Sequence, residues 1–246
     1  MGFKEDKPKS LLSVEADPKT KKGKAKNWLT GILYLFPHKA FGFDICPAAE
    51  RAQCAEPCLN LAGKGAMTSV QASRIRKTWL FHNEREWFMA QLYRDIEALE
   101  RRAAREGMRP AVRLNGTSDI NWEEIRFGNG KYSLMECFPM VQYYDYSKLP
   151  RVPQNRNYHL TFSYSAAPEF QVLVKKALKF QMNMAVVFRG GIPTEFMGRP
   201  VVNGDEDDLR FLDPEGCIVG LKAKGLAKKS TSPLVVDAKI IARQAA

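Results

Sequence analysis

The sequence lacks the features by which several protein classes are recognised. It has no apolar run of about eighteen residues, and its start, MGFKEDKPKS, has no apolar signal core, so we expect a cytoplasmic protein with no membrane partner. With 3 histidines and no GxSxG sequence, a Ser-His-Asp hydrolase is hard to assemble. No GxGxxG or GxxxxGK[ST] sequence occurs either, so the common nucleotide-binding loops are not indicated.

Cysteine is scarce as well. The 5 cysteines are too few for a disulfide scaffold, and their odd number cannot be fully paired. A chain of 246 residues is also long enough to bury its own core. With 45% apolar and 26% charged residues, the composition is that of one large or two small globular domains.

Positive charge is concentrated at the two ends of the chain. The formal net charge is +11, and most of the excess lies before residue 28 and after residue 221. The polar, Lys-rich segment 1–27 predicts a flexible arm, and 227–246 predicts a basic tail. Such ends bind nucleic acid phosphates in some proteins and only aid solubility in others.

Between these ends, residues 28–226 read as alternating strands and helices. A continuous apolar run at 28–36 is typical of a strand buried on both faces. Apolar residues at spacings of three and four predict a helix within 68–106, and a second helix begins near Pro168. A short helix is expected within 120–137. The other predicted strands are 111–114, 140–146, 158–164, 184–188 and 217–223.

This alternation predicts an α/β fold with mainly parallel strands, and its order favours a partial (β/α)6 barrel of the TIM type. Polar or Gly-rich residues follow several strands, as in Asn115–Gly116–Thr117 after the second and Arg189–Gly190–Gly191 after the fifth. Because carboxyl ends of parallel strands form the active face of such folds, a functional cleft is expected there.

The sharpest motif is a loop with three cysteines, Cys46, Cys54 and Cys58, within ICPAAERAQCAEPCLN. Thiolates favour soft metal centres, and the lack of the paired CxxC units typical of zinc sites favours iron–sulfur over zinc. His38, Cys137 or Cys217 could supply a fourth ligand. Zinc and unligated thiols remain alternatives.

The order of a strand, a three-cysteine loop, a long helix and a strand with a polar turn resembles the start of the radical S-adenosylmethionine fold. More closely, CPAAERAQC, VRLNGTSDINWEE, FPMVQYYDYSK, NYHLTFSYS, MAVVF and DLRFLDPEG resemble the gene-product-eighty-eight family of bacteriophages and related mobile elements, over roughly residues 28–226. This resemblance implies a phage or prophage origin, hence a bacterial host cell, and the same barrel.

The resemblance also implies roles for particular residues. The three cysteines would bind a 4Fe-4S cluster, and one implied activity is radical chemistry on an unknown small-molecule or macromolecular substrate. The cofactor side, facing bound S-adenosylmethionine, would be lined by Asn115, Gly116, Thr117 and Asp119. The substrate side, with catalytic roles, would be lined by Asp145, Lys148, Ser163 and Ser165.

Two other functions stay open. The first is a nucleic-acid-associated binding protein with a structural metal site and basic ends. The second is a metal-dependent nuclease that uses Asp205, Asp207 and Asp208, because carboxylates bind Mg²⁺. These three belong to the acidic cluster Asp205, Glu206, Asp207, Asp208 and Asp213, for which a solvated acidic loop is the commoner arrangement. Likewise NGTSD could simply be a turn that caps a helix, and Asp145 with Lys148 a surface ion pair.

Overall fold

A computed structural model of the chain describes residues 7–15, 18–58, 60, 62–126, 128 and 130–239. The chain divides into two compact units. The first comprises Met1–Cys46, Met67–Asp145 and Pro153–His159, and the second comprises Pro47–Ala66, Tyr146–Val152 and Leu160–Ala246. The three-cysteine segment is therefore divided, with Cys46 in the first unit and the other two thiols in the second.

Parallel pairing of buried strands organises the first unit. Strand β2 (Trp28–Leu33) is buried at every residue and pairs in parallel with β5 (Arg109–Arg113), which pairs in parallel with the start of β6 (Gln142–Ser147). A separate antiparallel hairpin consists of β3 (Lys39–Ala40) and β4 (Phe43–Asp44). Complete burial explains why β2 is a continuous apolar run rather than an alternating one.

The helix expected within 68–106 is two helices, α2 (Thr68–Asn83) and α3 (Arg85–Arg105). They are separated at Glu84, whose φ of −127° and ψ of 48° lie outside the helical range. Helix α3 packs against β2 and β5. The apolar residues that predicted this helix are all buried: Phe88, Leu92, Ile96, Leu99 and Ala103.

Two shorter helices complete the first unit. Helix α1 is Pro18–Gly23, and α4 is Leu134–Cys137. The helix expected within 120–137 is thus reduced to its last four residues. Helix α4 begins where the Ser133 hydroxyl accepts from the Glu136 amide and the Glu136 carboxylate accepts from the Ser133 amide, a reciprocal capping box.

The segment before Trp28 departs from the expected flexible arm. Leu12–Val14 form strand β1, which pairs antiparallel with β2. Leu11 is fully buried, and its backbone N–H donates to the Asp95 carboxylate at 2.5 Å while its carbonyl accepts from Lys77 at 2.7 Å. The apolar pair Leu11–Leu12 therefore packs where the average polarity of the segment predicts disorder. Residues 1–6 and 16–17 lie outside the described residues.

The second unit has its own parallel strands. The end of β7 (Tyr158–Ser163) pairs with β8 (Met184–Arg189), β8 with β11 (Ile218–Lys222), and β11 with β10 (Arg199–Asn203). Strand β10 was not predicted, and two short strands of this unit were missed as well: β9 (Glu195–Phe196), antiparallel to β10, and β12 (Val235–Asp237), parallel to β8. The short helix α1 and the short strands β1, β3 and β4 of the first unit were also missed.

Helix α5 of the second unit covers Gln171–Lys179 and follows a single 3-10 turn that begins at Pro168. Its inward residues Val174 and Ala177 are buried. Strand β12 lies within the segment predicted as a basic tail, so that part of the tail is a structured element, whereas residues 240–246 lie outside the described residues.

In strand order the main sheet reads β1-β2-β5-β6-β7-β8-β11-β10-β9, with β12 beside β8. Within this main sheet, all described pairings are parallel except those of the two end strands, β1 and β9. The predicted α/β class with mainly parallel strands is confirmed. The order begins at β1 and ends at β9 without closing, so the TIM-like barrel is not confirmed.

Candidate functional site

The carboxyl ends of β5 and β6 meet in the first unit around a buried carboxylate, that of Asp145. This side chain is fully buried. It accepts hydrogen bonds from the Asn115 backbone N–H at 2.7 Å, from the Asn115 amide group at 3.3 Å and from the Tyr158 hydroxyl at 3.0 Å. The structure therefore brings together two predicted site residues, Asn115 and Asp145, and adds Tyr158.

The side-chain amide of Asn115 also makes several hydrogen bonds. Its Oδ1 accepts from the Ser118 hydroxyl at 2.8 Å, the Ile120 amide at 2.9 Å and the Trp122 indole N–H at 3.1 Å, while its Nδ2 also donates to the Ile120 carbonyl at 2.9 Å. Because buried polar groups are costly to leave unpaired, this asparagine fixes the loop 115–122. We assign it a positioning role within the site.

Gly116 and Thr117 hold the same loop against the chain that leaves β2. A Cβ at Gly116 would lie 2.6 Å from the Leu33 carbonyl oxygen, so only glycine fits there. The Thr117 hydroxyl donates to the Leu35 carbonyl, and the Asp119 amide donates to the Ile45 carbonyl at 2.8 Å. These residues, predicted to bind a cofactor, make structural contacts in the first unit.

Cys46 lies beside this loop. Its Sγ is 3.9 Å from the Thr117 carbonyl oxygen, a contact to a weak thiol donor, and its amide donates to the Asp44 carboxylate at 2.9 Å. The thiol is partly exposed and is not in a disulfide. Of the three predicted ligands, Cys46 is thus the one that the first unit fixes next to the predicted cofactor residues.

Cys54 and Cys58 belong to the second unit, where hydroxyl groups hold their segment. The Ser165 hydroxyl donates to the Ala52 carbonyl at 2.8 Å, and the Ser232 hydroxyl donates to the Gln53 carbonyl. The Ser230 hydroxyl donates to the Glu56 carboxylate at 2.6 Å. An open cavity of about 580 Å³ lies there, lined by Ala49, Glu50, Gln53, Ala55, Glu56 and Lys229–Ser232.

These contacts change the interpretation of Ser165. It was predicted on the substrate side, but it is fully buried, donates to Ala52 and accepts from the Ala167 amide at 3.2 Å. Both hydrogen-bonding functions of this hydroxyl are used within the second unit. It therefore positions the cysteine segment in the described structure.

The described residues contain no group of three or more His, Cys, Asp or Glu side chains placed to hold a metal ion. None of the five cysteines, all of which lie in the described part of the chain, forms a disulfide. Burial raises the pKa of Cys217, and burial together with Glu136 raises the pKa of Cys137, so both of these thiols are kept protonated. The role of Cys46, Cys54 and Cys58 as metal ligands stays a prediction.

A second polar group lies at the carboxyl ends of β6 and β7, within the second unit. The Lys148 ammonium donates to the Ser163 hydroxyl at 2.8 Å. Three residues further on, Arg151 donates from Nη1 to the Ser147 hydroxyl at 3.0 Å. The structure thus pairs the predicted residues Lys148 and Ser163 and places the overlooked Arg151 beside the end of the same strand.

A further buried carboxylate was also missed. Glu123 is 6% exposed and accepts from the Gln154 amide at 2.9 Å, the Asn155 amide at 2.9 Å and the Asn155 side chain at 2.8 Å. The segment INWEEI gives no sign of this, because the acceptor and its donors are about thirty residues apart. Its contacts are those of a loop anchor.

The acidic cluster of the second unit surrounds a buried arginine. Arg210 is 2% exposed, with Asp207 at 3.2 Å and Asp213 at 3.3 Å. Asp205 accepts from Lys224 at 2.7 Å. Three of the five acids, Asp205, Asp207 and Asp213, thus compensate cations of the protein itself.

Comparison with known proteins supplies the family. The model of a family described as "Gene product 88" matches residues 10–238. The chain belongs to the gene product 88 family. No curated protein and no solved structure matches, so neither comparison supports the predicted radical S-adenosylmethionine-like barrel.

The family match confirms the closer of the two resemblances and extends it. It begins at residue 10, two residues before β1, and ends at 238, just after β12, so both structured ends belong to the gene product 88 unit. Among the described residues, no helix is long and apolar enough to cross a membrane.

Proposed function

We propose that this member of the gene product 88 family is a metal-binding protein in which Cys46, Cys54 and Cys58 together hold one soft metal centre. An iron–sulfur cluster is the first candidate, and zinc is the alternative, because thiolates bind both. Binding of S-adenosylmethionine and a radical step become testable only if an iron–sulfur cluster is found.

The observation that carries the proposal is the contrast among the five cysteines. The three that lie within 46–58 are close together in the sequence, partly exposed and in no disulfide, whereas Cys217 is fully buried. Cys137 is also partly exposed, but it lies far from the other cysteines in the sequence, and burial together with Glu136 raises its pKa. A thiol must lose its proton to bind a metal, and partly exposed thiols do so at lower cost than buried ones.

The contacts of the cysteine segments are further support. Cys46 is fixed beside loop 115–122 by its contact with Thr117, and Ser165 and Ser232 bind the carbonyls of Ala52 and Gln53 just before Cys54. Ligands on loops anchored in this way need less ordering when the metal binds.

Protection from alkylation tests this proposal. The protein is loaded anaerobically with iron and sulfide, or with Zn²⁺, treated with iodoacetamide and digested for mass spectrometry. We expect labelling of Cys46, Cys54 and Cys58 to slow about tenfold or more on loading, because a metal-bound thiolate is not free to attack. Labelling of Cys137 should not change, and a Cys137→Ser variant should load fully. Equal labelling of the three thiols with and without metal would refute the proposal.

A second candidate function is nucleic acid binding through the basic ends. Helix α1 and the turn after it present Lys21, Lys22 and Lys26 as exposed side chains on an ordered element. Lysines fixed on a helix bind phosphates with less loss of entropy than those on a flexible arm.

Fluorescence anisotropy with labelled DNA at several salt concentrations tests this second function. Replacing Lys21, Lys22 and Lys26 by Gln should weaken binding and lower the log–log salt slope by about 2 to 3. The matched control replaces Lys175, Lys176 and Lys179 on α5 and should leave the slope unchanged. Equal slopes in both variants would argue against α1 as the contact.

A further inference from the structure

Residues 229–237, which we call the strap, lie along the carboxyl end of β8 in the second unit. The described pairing of β7 with β8 covers only the first two residues of β8, Met184 and Ala185. Further along β8, strand β12 of the strap pairs with Val187–Arg189, while β11 pairs with β8 from Met184 onward. Because a strand has two edges and β11 occupies one of them, β12 lies on the edge that β7 has left.

The strap also contacts the chain that leaves β7. The Ala166 amide donates to the Pro233 carbonyl at 2.9 Å, and the next two strap residues, Leu234 and Val235, are buried. The strap therefore fills the opening between the carboxyl ends of two neighbouring parallel strands. Because α/β proteins commonly bind ligands at such ends, the strap covers a part of the fold that is suited to binding.

On its other side the strap holds residues 49–56 of the cysteine loop. The Ser230 hydroxyl donates to the Glu56 carboxylate at 2.6 Å, and the Ser232 hydroxyl donates to the Gln53 carbonyl. The open cavity of about 580 Å³ is lined by residues of these two segments. Displacing the strap would therefore remove one wall of the cavity and release two contacts of the cysteine loop.

The polar contacts that fix the strap to β8 are those of one arginine. Arg189, the last residue of β8, donates from Nη1 to the Ser230 carbonyl at 2.9 Å and forms an ion pair with Asp237 at 3.3 Å. The paired side chains are 38% and 25% exposed, so solvent weakens their attraction. Strand β12 has only three residues. Segments held by so few bonds open locally without global unfolding.

We propose that the strap is a removable cover that couples the carboxyl end of β8 to the cysteine loop. In the closed state it fills the crevice after β7 and fixes residues 49–56 through its two serines. When it opens, the crevice becomes accessible and the segment around Cys54 loses its fixed conformation. The proposal concerns the chain without metal, so it does not rest on the proposed metal centre.

Hydrogen–deuterium exchange of the metal-free full chain tests this coupling. The reporters are the amides of Ala52, Gln53 and Cys54, each of which donates to a backbone carbonyl within 48–50. Arg189→Gln should speed their exchange about fivefold or more, although the described hydrogen bonds and ion pair of the Arg189 side chain are all with the strap. Exchange of the β12 amides should rise to a similar extent.

The matched control is Glu97→Gln, which removes an exposed ion pair with Arg101 on α3. It should leave exchange in the strap and in residues 49–56 unchanged. A second measurement follows the thiols of Arg189→Gln with iodoacetamide. Labelling of Cys54 should speed up about twofold or more, and labelling of Cys137 should not change.

Three outcomes would overturn the proposal: faster exchange confined to the strap, unchanged exchange in the folded variant, or faster exchange throughout the chain, including the buried strand β2. If Arg189→Gln does not fold, Asp237→Asn removes the ion pair alone and Ser232→Ala removes the contact with Gln53. Both of these variants must then speed exchange of the same three amides. Because no metal is present in these experiments, their failure would leave the proposed metal centre untouched.

Discussion

The Asp145 carboxyl group accepts a 2.7 Å hydrogen bond from the backbone N–H of Asn115, so a fully buried side chain near the end of β6 holds the chain that leaves β5. The Tyr158 hydroxyl donates to the other carboxylate oxygen at 3.0 Å. Asn115 was predicted to line the cofactor side and Asp145 the substrate side, and both roles stay predictions. In the structure, the contact between these two residues fixes the loop that lies beside Cys46.

Replacing Asp145 should therefore affect stability first. In Asp145→Asn, donors that now face a carboxylate would face an amide group, and the free energy of unfolding should fall by about 2 to 3 kcal/mol. Tyr158→Phe removes a single hydrogen bond and should cost about 1 kcal/mol. Urea unfolding followed by tryptophan fluorescence measures both. A loss below about 0.5 kcal/mol for Asp145→Asn would contradict the assigned role.

Gly116→Ala should be more harmful than alanine at a glycine in open space. The new Cβ would lie 2.6 Å from both the Leu33 carbonyl oxygen and the Tyr34 ring, so the loop or β2 must shift, at a cost of about 2 to 4 kcal/mol. At Gly42, φ is +78° and an added Cβ would meet no atom within 4 Å. Replacing Gly42 by alanine therefore measures the cost of the left-handed backbone conformation alone, which should be about 1 kcal/mol. Equal thermal stability of the two variants would exclude the steric explanation.

Lys77 should make stability rise with pH in the alkaline range. Burial lowers its pKa from 10.5 to about 8, so between these values the unfolded chain binds a proton that the folded chain has released. The unfolding free energy should then increase by an amount on the order of 3 kcal/mol between about pH 8 and 10.5. Above that range, Lys77 should contribute no further increase. Below pH 8 the penalty for burying the charge is fully present.

The difference between the wild type and Lys77→Met removes the contributions of other groups that titrate there. Denaturant unfolding at pH 7.5, 9 and 10.5, as values chosen on either side of the folded pKa of about 8, gives this difference. It should shift in favour of the wild type as pH rises. A difference that does not change with pH would show that Lys77 titrates normally in the folded protein.

The acidic cluster should act on stability through Arg210. Asp207→Asn leaves the buried guanidinium with less compensation and should lower the unfolding free energy by about 3 kcal/mol. Glu206→Gln, at the exposed neighbouring position, should change it by less than about 0.5 kcal/mol. Mg²⁺-dependent cleavage of plasmid DNA that disappears in Asp207→Asn while its stability is unchanged would instead favour the nuclease hypothesis.

The interior of the fold could be predicted from the sequence because burial leaves a clear pattern. Strands β2, β5, β6, β7, β8 and β11 were all expected, since each contains a short run of apolar, β-branched or aromatic residues. Strands β1 and β10 were missed for physical reasons. Strand β1 has three residues in a polar segment, and β10 contains Pro200, which cannot donate to a neighbouring strand.

The candidate site was predictable only in part. Asn115 follows β5, and Asp145 lies near the carboxyl end of β6, which pairs in parallel with β5, so their approach could be expected from topology. That Asn115 is fully occupied by Ser118, Ile120 and Trp122 depends on the loop conformation, which no residue pattern encodes. The same holds for Arg151, whose hydrogen bond to the Ser147 hydroxyl forms only once the turn after β6 is folded.

Iron, acid-labile sulfide and zinc per chain, measured on protein purified without oxygen, test the central claim most directly. A matched variant with Cys46, Cys54 and Cys58 replaced by Ser, and a control with Cys137 and Cys217 replaced, accompany the wild type. We expect about four iron and four sulfide per chain, or about one zinc, in the wild type and the control, and none in the triple variant. Metal-free wild-type protein after anaerobic reconstitution, or equal metal in the triple variant, would contradict the account.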